Sequence, residues 1–217
     1  MSAAIEPPRF LVVAAGGWFV GALALGLGAR VPESLALASL FPPVRISLLA
    51  TVAGLLVAWP LLRLTLATPR RCVAVTLVEM MTLMVLFQAV MWPLRLATPW
   101  SIERTLLIDA LALSAMTGVA GVVAFGAATS SAVVRAVAMA VVLALSTGIT
   151  SIAWLGTGIP GVVDAMGATA SMPTPGDWRA LVGASGANLA LLVIGVGASA
   201  IVAGGRGPML AHPPRVG

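Results

Sequence analysis

Lysine and tyrosine are missing from this 217-residue chain, and cysteine and histidine occur once each, as Cys72 and His212. A lone cysteine excludes an intrachain disulfide and a thiolate metal cluster. A lone histidine near the C-terminus leaves the apolar part of the chain without bis-histidine haem ligation, a copper site or a histidine proton shuttle. No cofactor, metal or catalytic residue is expected on these grounds. Charge is scarce too. Charged residues make up 9% of the chain and hydrophobic ones 60%, and the mean hydropathy of +1.09 lies far outside the range of soluble domains. At about 20 residues per spanning helix, membrane spans use most of the length. Any nucleotide-binding or redox domain the system needs is expected on another chain.

All twelve basic residues are arginine, and the formal net charge is +5. In a soluble protein such a balance would suggest nucleic acid. Here the arginines are spread among short connections between apolar runs, where the cytoplasmic bias of basic residues explains them. The expected partners are therefore the lipid bilayer and other membrane subunits, with no nucleic acid.

What the chain does contain is a series of apolar runs. The sequence predicts an all-α polytopic membrane protein: a single transmembrane domain over 10–204, a bundle of about six helices, and no soluble domain. The spans fall at about 10–29, 46–66, 72–92, 105–127, 132–154 and 181–203. They are preceded by a polar N-terminus, 1–9, and followed by a flexible tail, 205–217. The first run is too long for a signal-peptide core and lacks a convincing A-x-A cleavage site, so it reads as a retained span. Arg30 to Arg45 reads as a loop, because Pro32, Pro42 and Pro43 oppose helix continuation and Leu35 to Phe41 is too short to cross. Pro60 is expected to kink the second span. Residues 156–179 read as one long outer loop, of which a short amphipathic piece can dip into the bilayer. With the N-terminus inside, Arg9, Arg63, Arg70, Arg71, Arg135, Arg206 and Arg215 lie on the inner side. Arg30, Arg45, Arg95, Arg104 and Arg179 lie outside. That bias favours both ends in the cytoplasm, as in a bacterial inner membrane.

Polar residues inside such spans are the candidate functional groups, because a carboxylate in hydrocarbon costs several kcal/mol unless paired, protonated or hydrated. They are Glu79 and Gln88 in the third span, Asp109 in the fourth and Arg135 in the fifth. Glu79 and Asp109 fall at different depths, so a paired-acid site is excluded and each is expected to have its own arginine, Arg63, Arg71 or Arg135 for the first and Arg95 or Arg104 for the second. Gly17-x-x-x-Gly21 and Ser114-x-x-x-Gly118 offer small-residue faces for close helix approach. The Met80, Met81, Met84 and Met91 group reads as adaptable packing, since no histidine or cysteine completes a copper site. Trp59-Pro60 and Trp92-Pro93, each followed by Leu/Arg and Ala-Thr-Pro, form a short internal echo of the kind that marks some transporters.

Gly183-Ala-Ser-Gly186 resembles the G-x-S-G of rhomboid intramembrane proteases, a likeness of four residues. That resemblance would make Ser185 a nucleophile, but no histidine stands in the spans to take its proton. Small-residue packing is the expected role of the motif. Six spans with short loops also match the architecture of ABC-2-type permease subunits, although the short inner turns at Thr68–Arg71 and Thr129–Ser131 leave little room for an ATPase-coupling helix. The sequence thus points to a non-catalytic membrane subunit of a larger complex. The alternative is a small transporter whose path is lined by Glu79, Asp109 and Arg135.

Overall fold

The computed structural model describes residues 36–66, 72–95, 100–147, 158–167 and 172–204, with side chains over 42–66, 73–91, 100–147, 158–166 and 172–202. The expected first span at 10–29, with Gly17 and Gly21, lies outside the described residues, as do both termini. Among the described residues every element is helical. In chain order these are α1 (Ala36–Ala53), a π turn (Gly54–Ala58), α2 (Trp59–Leu66), α3 (Cys72–Arg95) and α4 (Ile102–Ala128). They are followed by α5 (Ala132–Thr147), α6 (Ile159–Gly167) and α7 (Pro175–Gly204). Among the described residues four stretches are long and apolar enough to cross a membrane: Pro42–Leu66, Val73–Met91, Ile102–Ala128 and Pro175–Val202. The fifth expected span is described only as the 16-residue α5, which is apolar but short.

The centre of the bundle is α4, which packs against α2, α3, α5, α6, α7 and the π turn. Its most apolar window is 72% buried by the rest of the chain, against 17% for that of α7. Its Ala- and Gly-rich sequence makes this possible, since small side chains let several neighbours approach one cylinder. Leu107, Ile108, Met116, Val119 and Val123 fill the gaps, meeting Leu48, Leu56, Phe87 and Met91 in one core cluster. The outward faces are apolar as well: Val78, Met81 and Val85 on α3, Val133, Val137 and Val141 on α5, and Val182, Leu189 and Val193 on α7 are all exposed. Apolar stripes at three- and four-residue spacing, inside and out, are the pattern of helices long and apolar enough to span a membrane.

Helix starts come earlier than hydropathy suggested, and the reason is capping. Thr174 and Asp177 cap one another: Asp177 N donates to Thr174 Oγ1 at 3.3 Å, and Thr174 N donates to Asp177 Oδ2 at 2.7 Å. Pro175 between them occupies the first helical position, where its missing N–H costs nothing. The last helix therefore begins at Pro175 instead of near 181. Likewise Ser101 Oγ accepts from Arg104 N at 3.1 Å and starts α4 at Ile102 rather than at 105.

Two loop readings are corrected. Residues 156–179 are not one irregular loop, because they contain α6 and the first turns of α7. Val162, Ala165 and Met166 bury the inner face of α6 while Asp164 stays exposed. Second, Pro42 and Pro43 do not stop a helix; both lie inside α1, which starts at Ala36. Proline φ is already helical, and the price is two missing amide donors.

At Pro60 the helix adjusts locally. The expected irregularity is a π turn: Trp59 N donates to Gly54 O, five residues back. Pro60 brings no amide to the ladder at this turn. Within the π turn, Leu56 O accepts from Ser146 Oγ of α5 at 2.7 Å. A hydroxyl from a neighbouring helix thus serves a backbone carbonyl beside the proline, the device expected where water is absent.

Candidate functional site

The π turn widens the helix just before Trp59, and α2 then presents Trp59 and Arg63, one turn apart, to α3. There they meet Glu79, which is 2% exposed. Trp59 Nε1 donates to Glu79 Oε2 at 3.1 Å, and Arg63 Nε stands 3.5 Å from the same oxygen. Of the described arginines that the sequence offered as partners, Arg63 stands at Glu79; Arg71 lies outside the described residues. Two groups from one helix thus fasten one carboxylate oxygen of the next. The other oxygen, Oε1, has no hydrogen-bond partner, and neither has the fully buried Thr76 Oγ1 one turn before it; Arg63 Nε, though close in charge terms, is not aligned as a donor.

Gln88 lies about 13 Å further along α3 at 1.5 Å per residue, and it serves the second carboxylate. Gln88 Nε2 donates to Asp109 Oδ1 of α4 at 2.5 Å. Asp109, 8% exposed, is held by the Gln88 amide; the side chain of Arg95, one of its expected partners, lies outside the described residues. Glu79 and Asp109 therefore belong to separate clasps on separate levels of the bundle. Arg135, at the start of α5, donates from Nη2 to Ser130 O at 3.4 Å and joins neither carboxylate.

A third clasp ties α4 to α7. Asn188 Nδ2 donates to Ser114 Oγ at 3.0 Å, in a seam where the backbones nearly touch. A Cβ added at Gly118 would stand 2.9 Å from Asn188 Cγ. One added at Gly121 would stand 2.6 Å from Leu192 Cα, and one at Gly195 2.5 Å from Gly121 C. The order of these contacts, Ser114 and Gly118 with Asn188, then Gly121 with Leu192 and Gly195, shows that α4 and α7 run in the same direction. Asn188 and Gly195 are the site residues that hydropathy could not nominate. A polar amide in an apolar run, seven residues from a glycine, was the available signal.

Gly183 and Gly186 do not share this seam. Among the described residues nothing lies within 4 Å of a Cβ at either position, so neither glycine packs in the contact between α4 and α7. The buried stripe of α7 is Leu181, Ala184, Asn188, Gly195 and Ser199, and at 3.6 residues per turn 183 and 186 fall away from it. Met80 and Met91 turn into the core whereas Met81 is 57% exposed, so the methionines near Glu79 fan out rather than converge. Among the described residues no group of three or more His, Cys, Asp or Glu is placed to hold a metal.

Among the described residues these features define an all-helical fold with four helices of membrane-crossing length, joined by polar clasps. No protein-family profile, curated protein or solved structure matches it.

Proposed function

We propose that this chain is a non-catalytic integral membrane subunit of a larger complex, a bundle of about six spans in a bacterial inner membrane with both termini cytoplasmic. The observation that carries the reading is the use made of polar groups inside the spans. Trp59, Arg63 and Glu79 join α2 to α3; Gln88 and Asp109 join α3 to α4; Ser114 and Asn188 join α4 to α7; and Ser146 joins α5 to the π turn. Each set couples two neighbouring helices, and the sets are separated by turns of apolar side chains. Polar contacts of this kind hold helices in register where hydrophobic burial supplies no driving force. The apolar outer face of α7, buried on one stripe only, leaves a surface for lipid or for a partner helix.

A second reading, a small solute or ion transporter or permease subunit, is favoured by one feature, the unpartnered and buried Glu79 Oε1. The experiment that separates them is purification of the native protein in mild detergent, with mass spectrometry of everything that accompanies it. Stoichiometric partner proteins support the subunit reading. A lone monomer or homo-oligomer, with transport lost in Glu79→Gln and Asp109→Asn variants that still fold, replaces it with the transporter.

A further inference from the structure

Three polar atoms on α2 and α3 have no hydrogen-bond partner: Glu79 Oε1, Thr76 Oγ1 one turn before it, and Arg63 Nε of the ion pair. Thr76 is fully buried, Glu79 is 2% exposed and Arg63 is 7% exposed, so bulk solvent does not serve them. A buried unsatisfied polar group costs about 1–3 kcal/mol, more when charged. Three at the ion pair and the turn before it are a demand for an occupant rather than a tolerated defect.

The donor set says which occupant. Glu79 Oε1 accepts only, the Arg63 Nε–H donates only, and the Thr76 hydroxyl does either. The ligand must therefore both donate and accept. Arg63 and Glu79 already balance each other in charge, so a cation would face the guanidinium and an anion the carboxylate. The occupant is neutral. Thr76 and Glu79 are three apart on α3, so both side chains leave the same face of the helix, and Arg63 meets that face through its ion pair with Glu79. A small neutral donor and acceptor with about three polar partners is water; buried waters typically make about three hydrogen bonds.

We propose that Thr76, Glu79 and Arg63 form a water-binding site inside the helix bundle, between α2 and α3. The bound molecule donates to Glu79 Oε1, accepts from Arg63 Nε–H and exchanges one further hydrogen bond with Thr76 Oγ1. The site goes beyond the proposed subunit role and stands or falls separately from it, because hydration of this point requires no partner protein.

Hydroxyl radicals generated by a brief X-ray pulse label residues beside bound water even when they are buried. The test uses the full chain in lipid nanodiscs, with mass-spectrometric readout at Met80 and Trp59. Both are shielded in the structure, at 6% and 7% exposure. Met80 lies one turn from Thr76, and Trp59 touches Glu79. Met172, 70% exposed, is the positive control, and Met116, 1% exposed, is the dry one. Labelling of Met80 or Trp59 at least fivefold above Met116 is expected. It should fall to the Met116 level in Thr76→Val and persist in Thr76→Ser, which keeps the hydroxyl. Met80 and Trp59 as silent as Met116 in the unaltered protein would overturn the site. So would labelling that is equal in Thr76→Val and Thr76→Ser.

Discussion

Replacing Gly195 by alanine adds a single methyl group, and the seam between α4 and α7 determines its effect. The new Cβ would stand 2.5 Å from Gly121 C and 2.9 Å from Gly121 Cα. These are backbone atoms of the most buried helix in the bundle and cannot rotate aside. Ordinary contact begins at 3.4 Å and Gly121 O lies closer still, so α7 has to retreat by more than about 0.9 Å (3.4 − 2.5). A gap of 0.5–1 Å forfeits about a quarter to a half of the dispersion energy of each atom pair across it. Overpacking of this kind costs about 1–3 kcal/mol. The retreat also stretches the Asn188–Ser114 bond, which is 3.0 Å long; interhelical hydrogen bonds in membranes contribute about 0.6 kcal/mol on average and up to about 1.7. The expected loss is therefore about 2–4 kcal/mol. Gly183→Ala and Gly197→Ala add the same methyl to the same helix where nothing lies within 4 Å, so each should leave stability unchanged or slightly raised. The assay is unfolding in mixed micelles by increasing SDS, followed by far-UV circular dichroism. A Gly195→Ala curve superimposed on that of Gly183→Ala would show that the seam is not packed as described.

Ser146→Ala removes the donor to Leu56 O and should cost about 0.5–1.5 kcal/mol. In a Pro60→Ala background, where residue 60 regains an amide, the cost should shrink; an unchanged cost in the double variant would dissociate Ser146 from the proline. Arg63→Met leaves Glu79 buried without its countercharge and should lose about 3–5 kcal/mol, most of it recovered in Arg63→Met/Glu79→Met. Failure of the double variant to recover would mean that the pair is not coupled. Thr174→Ala should cost about 1 kcal/mol, seen by hydrogen exchange as faster opening of the first turn of α7 with the core amides unaffected.

Much of the membrane character was legible because it is written in composition, and Glu79, Gln88, Asp109, Ser114 and Gly118 stood out as polar or small residues in apolar runs. Which of them meet was not legible. Helix register brings Gln88 to Asp109, and register is a tertiary quantity that no window of sequence contains. The glycines make the same point. Gly121 and Gly183 look alike in sequence, yet one lies against backbone and the other opens outward, because Asn188 and its stripe decide which way α7 is turned. The reading of Pro42 and Pro43 as helix stops failed for a different reason: each was judged by the hydrogen bond it removes, whereas proline φ is already helical. At Pro60, where an irregular helix was expected, a π turn stands. The helix starts were legible after all: Ser101 and the Thr174-Pro-Gly-Asp177 stretch carry capping chemistry, but hydropathy drew the boundary further in.

The pairing of Ser114 with Asn188 joins residues 74 positions apart in the chain, and this separation becomes a time during synthesis. At about 5–20 residues per second, roughly 4–15 s pass between the appearance of Ser114 and that of Asn188. Throughout that interval α4 has its serine, Gly118 and Gly121 ready but no partner for them. The groove that α7 later closes is then lined by lipid, by the insertion machinery or by whichever other helix arrives first. The deepest helix of the finished bundle is thus made well before the helix that covers it. A nascent chain stalled between α5 and α7 would carry that groove open.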